Sequence, residues 1–245
     1  MELSIVVPAY NEQRRLPATL RAWLAFLAAQ PLTWELLVVD DGSTDQTPTV
    51  VAELAAAQPG LRLIRLPANQ GKGAAVRAGM LQAAGAHVFY VDADLNVSPR
   101  YVPTFVRLLN DGYDVAIGRR SSRQYSATER SVGRVAAGLL VQVTRRALLL
   151  PVYRDTQCGF KGFRRAAAAA LFGQATIAGF AFDVEILYLA WKKGYRVAEV
   201  PVAVERREGS TYSLRRHLLP FLRDIATIKR QDLAGAYDRP PRARC

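Results

Sequence analysis

Residues His87–Asn96 read HVFYVDADLN. The first five are apolar or aromatic and fit a strand buried in a sheet. The next five place two carboxylates and an amide near one point. In an extended backbone, residues i and i+2 project to the same side. Asp92 and Asp94 therefore repel unless a cation sits between them. Oxygen ligands of this kind suit Mg²⁺ or Mn²⁺, which keep positions open for phosphate and water. Asn96 offers a further amide oxygen. The competing reading is a surface loop with turn-forming aspartates. Position after a buried strand favours the cation site.

Similar runs recur upstream. Leu3–Pro8 and Trp34–Val39 read as strands, as do Leu61–Leu66, His87–Val91 and Asp114–Ile117. Between the first two, Leu16, Leu20, Trp23, Leu24 and Leu27 recur at helical spacing. DGSTDQTP supplies a turn and a helix start, with Pro48 suited to a first turn. Strands alternating with helices imply βαβ units and a mainly parallel sheet flanked by helices, an α/β fold. Ligands in such sheets bind beyond the C-terminal strand ends. Three of those ends carry polar clusters: Pro8–Glu12, Asp40–Ser43 and Asp92–Asp94.

Asp40 and Asp41 can accept hydrogen bonds from a base or cap the following turn. NQGKGAA (Asn69–Ala75) brackets Lys72 with glycines at a helix start, a setting that favours an anion. It is not a Walker motif, and no G-x-G-x-x-G follows the first strand.

The 245-residue chain carries a formal net charge of +12, with arginines crowded into 119–165 and 206–230. Such a surplus attracts polyanions, whether nucleic acid, anionic lipid or phosphorylated substrate. The aromatic residues sit in strand and helix patterns rather than in Arg-interleaved platforms, so nucleic acid is not expected. Neither a leader nor a membrane-spanning run is evident, and Cys158 and Cys245 suggest no disulfide framework. The expected setting is cytoplasmic.

The second half reads less regularly. Arg130–Leu149 has a helical pattern, YRDTQCGFKGFRR is turn-rich, Phe182–Lys192 is helical and Arg196–Val204 is a strand. Leu214–Lys229 is a basic amphipathic helix whose stripe includes Leu218, Leu219, Phe221, Leu222 and Ile225. That composition suits a membrane surface, or a helix packed on its own domain. One domain over 1–230 is expected, in three stretches: the regular 1–118, the less regular 119–212 and the basic helix (213–230). A disordered tail (231–245) follows. Cys158 reads as a packing residue without a neighbouring base.

IVVPAYNE, VVDDGSTD, NQGKGAAVRAGM and VDADL, in this order, resemble family 2 glycosyltransferases with the nucleotide-diphospho-sugar transferase (GT-A) fold. RDTQCGFKGFRR and FAFDVEILYLAWKKGYRVAEVPV are similar to the dolichyl-phosphate glucosyltransferase branch, related to the dolichyl-phosphate mannose synthases. The resemblance implies that Pro8, Tyr10, Glu12, Asp40 and Asp41 hold the nucleoside, uridine favoured over guanosine. It puts Lys72 at the nucleotide and Asp92, Asp94 and Asn96 at the metal. It assigns Arg119, Arg130, Lys161 and Arg206 to the sugar diphosphate or the acceptor phosphate. The implied reaction moves a hexose from a nucleotide sugar, UDP-glucose favoured, to a polyprenyl phosphate. Such an enzyme is expected peripherally at the cytoplasmic membrane face.

A phosphate acceptor is largely dianionic near neutrality and needs no general base. A saccharide or other hydroxyl acceptor, the alternative, does need one. Asp183 and Asp155 are the candidates for that role. Asp183 could equally stabilise a helix N-terminus, and Asp155 could pair with Arg154 or Lys161.

Overall fold

The computed structural model describes residues 1–120, 153–204 and 214–238, without the side chains of 214–217. Strands β1 (Leu3–Ala9), β2 (Trp34–Asp40), β3 (Leu61–Arg65), β4 (His87–Val91), β5 (Val115–Arg120), β6 (Phe160–Arg164) and β7 (Val197–Val202) form one sheet. Its order is β3-β2-β1-β4-β6-β5-β7. All neighbours pair parallel except β6, which runs antiparallel to both β4 and β5.

Helices α1 (Leu16–Ala28), α2 (Thr47–Ala56) and α4 (Val102–Asn110) cover one face. Helices α3 (Lys72–Gln82), α5 (Arg165–Gln174), α6 (Phe182–Lys192) and α7 (Leu214–Leu233) cover the other. Burial on both faces explains why β1, β2 and β4 read as continuous apolar runs rather than alternating ones. Alternation along β4 still sorts side chains: Phe89 packs with the first helix layer and Tyr90 with the second.

The sheet is the predicted α/β architecture with strand ends within one or two residues, save β5, which runs on to Arg120. The principal difference is β6. FKGFR lies in the stretch read as turn-rich, yet it is a strand between β4 and β5. Gly162 disguises it. A Cβ there would lie 2.6 Å from the Phe89 ring on β4, so glycine is required by packing, not by a turn. Lys161 disguises it further, because a lysine buried mid-sheet is rare unless paired.

The C-terminal helix also differs. It continues to Leu233, and Tyr237 beyond it is buried, so residues 231–238 belong to the packed structure rather than to a tail. Phe221 and Ile225 are buried in the α3/α5/α6 layer. The centre of the stripe read as a membrane face therefore packs on the protein itself, while Leu219 stays 65% exposed. Among the described residues, no helix is long and apolar enough to cross a membrane. The helical pattern at 130–149 and the tail from 239 lie outside the described residues.

Candidate active site

Parallel β1, β2 and β4 deliver their C-terminal loops to one edge, as their registers require. The first two loops are stitched together by side chains. Asn11, at a positive φ of 54°, donates its N–H to Ser43 Oγ (2.9 Å) and accepts the Thr44 N–H (2.9 Å). Glu12 N–H donates to Thr47 Oγ1 at 2.8 Å. The Glu12 carboxylate turns to Arg15 in a two-point pair at 2.6 and 2.8 Å. Tyr10 is left open to solvent, whereas Pro8 is buried within β1. The β1–β4 pairing ends at Val6 opposite Tyr90, before Pro8, which has no N–H to contribute.

Asp40 and Asp41 divide their tasks. Asp40 is fully buried and accepts the Ser43 N–H at 3.1 Å. Arg65 Nε stands 3.3 Å from its other oxygen, near enough for charge pairing without hydrogen-bond geometry. Asp41 accepts the N–H groups of Gln70 (2.8 Å) and Gly71 (2.9 Å). Burial pushes the Asp41 carboxyl above its usual range, although those two N–H groups pull the other way.

The helix start after NQG is thus already supplied with acceptors. Gly73 and Ala74 donate to the Ala178 carbonyl at 2.7 and 3.3 Å. The expectation that this backbone cradles a ligand anion is replaced by an internal arrangement, with Asp41 as the anion. Fully buried Glu185 supports it from behind. It accepts the N–H groups of Thr176 and Ile177 and the hydroxyl of Tyr237.

Lys72 instead projects its ammonium into the edge, 2.6 Å from Asp92 Oδ1. The rings of Phe180 and Phe182 lie 5.9 Å from it, at the limit of cation–π contact. Burial lowers the Lys72 pKa, but the charges of Asp92, Asp183 and Asp94 outweigh this and raise it, so it stays cationic. Asp94 lies beside Asp92. Burial, then the Asp92 charge, push its carboxyl above the usual range. Asn96 donates its N–H and its amide nitrogen to Asp94 and so orients that carboxylate. Thr19 of α1 anchors the loop by donating to the Ala93 carbonyl at 2.6 Å.

Gly159 completes this floor. It hydrogen-bonds to Asp92 through its carbonyl, and a Cβ on it would lie 1.9 Å from Asp92 Oδ2. The donor set fits a hard divalent cation. Asp92 and Asp94 supply carboxylate oxygens whose charges act on one another, and a cation, the Lys72 ammonium, already stands against Asp92.

Both candidate bases are engaged. Asp183, in the first turn of α6, takes Lys161 Nζ at 2.6 Å and the Tyr90 hydroxyl. Lys161 is fully buried and also donates to the Cys158 carbonyl at 2.7 Å. Lys161 therefore neutralises Asp183 inside the protein instead of facing an acceptor phosphate at the surface. Asp155 pairs not with Arg154 or Lys161 but with Arg120, at 2.7 and 3.0 Å, and accepts the Arg120 N–H as well. Burial raises the Asp155 carboxyl, but Arg120 overrides it and holds it below the usual carboxylate range. Arg119 and Arg120 point to opposite faces of β5, so only one can meet Asp155. The sequence offered no means to choose between them. Burial pushes the Cys158 thiol up to about 12, in keeping with a packing role. Arg130 and Arg206 lie outside the described residues.

The family described as "Glycosyl transferase family 2" matches residues 4–172. The chain belongs to that family. It is a hexosyltransferase with a GT-A fold. Curated relatives include the dolichyl-phosphate beta-glucosyltransferases of Drosophila melanogaster and Homo sapiens. The first is 37% identical, covering 97% of this chain and 77% of its own. The second is 34% identical, covering 96% and 77%. Among solved structures, glucosyl-3-phosphoglycerate synthase from Mycobacterium tuberculosis, in complex with Mn²⁺, UDP and phosphoglyceric acid, aligns with a TM-score of 0.66. It is 21% identical and covers 98% of this chain and 79% of that one. The same enzyme with Mg²⁺ and UDP aligns at 0.64 and 20% identity, covering 98% and 80%. At that identity the likeness is one of fold.

Proposed function

We propose that this family 2 enzyme transfers glucose from UDP-glucose to a polyprenyl phosphate of the dolichyl type. The names of its relatives support the sugar and the acceptor class. The observation that carries the reading is the engagement of both spare carboxylates. Asp183 is tied to Lys161 and Tyr90, and Asp155 to Arg120. Neither stands ready to take a proton from a hydroxyl. A phosphate monoester is dianionic near neutrality and attacks without losing one.

Asp92 and Asp94 would hold a divalent cation, Mg²⁺ or Mn²⁺, which when bound would offset charge on the leaving nucleoside diphosphate as a Lewis acid. The chain's own groups do the remainder. Asp94 is oriented by Asn96, and Asp92 is seated on Gly159. Lys72 brings a positive charge to the donor side. Arg119, next to Arg120 on β5, is the residue this reading assigns to the acceptor. There a guanidinium neutralises the incoming phosphate, which must approach an already anionic donor. Direct attack of the phosphate oxygen on the anomeric carbon breaks the bond to the diphosphate and inverts that centre. A lipid acceptor places the enzyme peripherally at the cytoplasmic membrane face.

The test is transfer of labelled glucose from UDP-glucose to dolichyl phosphate in Mg²⁺, with GDP-mannose and a soluble glucoside acceptor as parallel arms. Label entering the organic phase from UDP-glucose is expected. Label confined to the soluble acceptor would overturn the lipid-phosphate reading.

A further inference from the structure

Lys72 is turned inward at the strand edge. Its ammonium is not held out towards solvent but lies 2.6 Å from Asp92 Oδ1. Asp92 packs on Gly159, where a Cβ would fall 1.9 Å from Oδ2 and 2.5 Å from Oδ1, so the carboxylate is seated against bare backbone. Lys72 already holds Oδ1. A divalent cation that uses Asp92 must approach this resident positive charge. Two cations at one carboxylate repel strongly where solvent is partly excluded.

The backbone around Lys72 cannot retreat to resolve this. Gly71 and Gly73 pack so tightly on the 177–178 backbone that a Cβ on either would fall 2.5 or 2.4 Å from a carbonyl oxygen. Asp41 fixes the Gln70 and Gly71 N–H groups, and Ala178 fixes that of Gly73. Only the side chain of Lys72 is left to swing. Because those N–H groups are already satisfied, an arriving diphosphate meets a mobile ammonium here rather than a backbone cradle.

We infer that Lys72 is a built-in competitor for the cation: it holds Asp92 until a nucleoside diphosphate draws its ammonium away, so that cation and donor bind together. This rests on the reading that Asp92 and Asp94 hold a divalent ion. It makes Lys72 a positioning residue that sets the order of binding and keeps Asp92 paired between turnovers.

The test measures Mn²⁺ binding to the purified protein by the electron paramagnetic resonance signal of free Mn²⁺, with and without UDP. Wild type is compared with Lys72→Met, Lys72→Gln and the charge-retaining Lys72→Arg, thermal unfolding confirming that each folds. Removing a unit charge this close is expected to tighten Mn²⁺ binding in the absence of UDP by about tenfold or more in Lys72→Met and Lys72→Gln. The same variants are expected to lose most of the mutual enhancement between UDP and Mn²⁺, while Lys72→Arg keeps it. Mn²⁺ binding no tighter in Lys72→Met and Lys72→Gln than in wild type overturns the inference and leaves the metal reading standing. Wild type that binds no Mn²⁺ even with UDP, and transfers sugar in chelator, overturns both.

Discussion

Asp41 and Gly71 meet at 2.9 Å, a side-chain carboxylate against a backbone N–H from the next βα unit. With the Gln70 contact at 2.8 Å, this makes Asp41 the anion at the loop preceding α3. Asp41→Asn replaces one acceptor oxygen with a donor facing an N–H. Leaving that part-buried N–H unsatisfied costs about 1–3 kcal/mol. A lower denaturant midpoint with an unchanged slope is expected, together with a raised KM for the nucleotide sugar because the backbone that carries Lys72 is no longer fixed. An unchanged midpoint would show that the loop holds without Asp41.

Gly159→Ala is the sharpest probe of the Asp92 seat. The added carbon would fall 1.9 Å from Asp92 Oδ2, so the carboxylate must move. Misplacing a reacting group by about 1 Å can cost on the order of 10²-fold in rate. Transfer should fall by about that factor, and Mn²⁺ affinity in the presence of UDP should fall with it. Retention of both would mean that Asp92 is free to relocate.

Lys161 and Asp183 form a buried pair, so each single truncation leaves a charge without its partner. Lys161→Met or Asp183→Leu alone should lose about 3–5 kcal/mol, and the double variant should recover a large part of that loss. Urea unfolding of the three proteins reads the cycle. A double variant that folds and still transfers sugar would confirm that Asp183 acts structurally. One that folds well but is inactive would restore Asp183 as a candidate base.

The Arg120–Asp155 pair makes an acid-side prediction. The Asp155 carboxyl is held below its unfolded value, so between the two pKa values the unfolded chain binds more protons. Stability from this pair is therefore complete above the unfolded value of about 3.9 and is lost as pH falls through the lower folded one. Unfolding free energy measured across the acid range should drop less steeply in Asp155→Asn than in wild type. Parallel curves would contradict the pairing.

Membrane contact by α7 must use its outward residues. Phe221 is 3% exposed, and Phe221→Glu should unfold the helix from the core, whereas Leu219→Glu at 65% exposure should change stability by no more than about 0.5 kcal/mol. Liposome flotation of the stable Leu219→Glu protein then isolates surface binding. Recovery equal to wild type would exclude insertion through Leu219.

The sequence by itself determined the βαβ half of this protein. β1, β2 and β4 are buried on both faces, so nearly every residue is apolar and the run is visible without its neighbours. Parallel strands then force their C-terminal loops to one edge, which is why Asp40, Asp41, Asp92 and Asp94 could be grouped before any coordinates. Pairings made across the chain could not be read this way. Lys161 looks like a surface cation until Asp183, on a later helix, is placed 2.6 Å from it. Gly162 looks like a turn until Phe89 is found across the strand. Asp155 had Arg154 and Lys161 as its partners on sequence grounds, and only the fold brings Arg120 of β5 to it instead. Asp41 and the NQGKG loop were each legible as binding elements, but that they satisfy one another is a tertiary fact. Burial periodicity is local and survives in one dimension. The partner of a charge or the neighbour of a glycine is fixed only when distant segments meet, and that meeting is what leaves Lys72 facing Asp92.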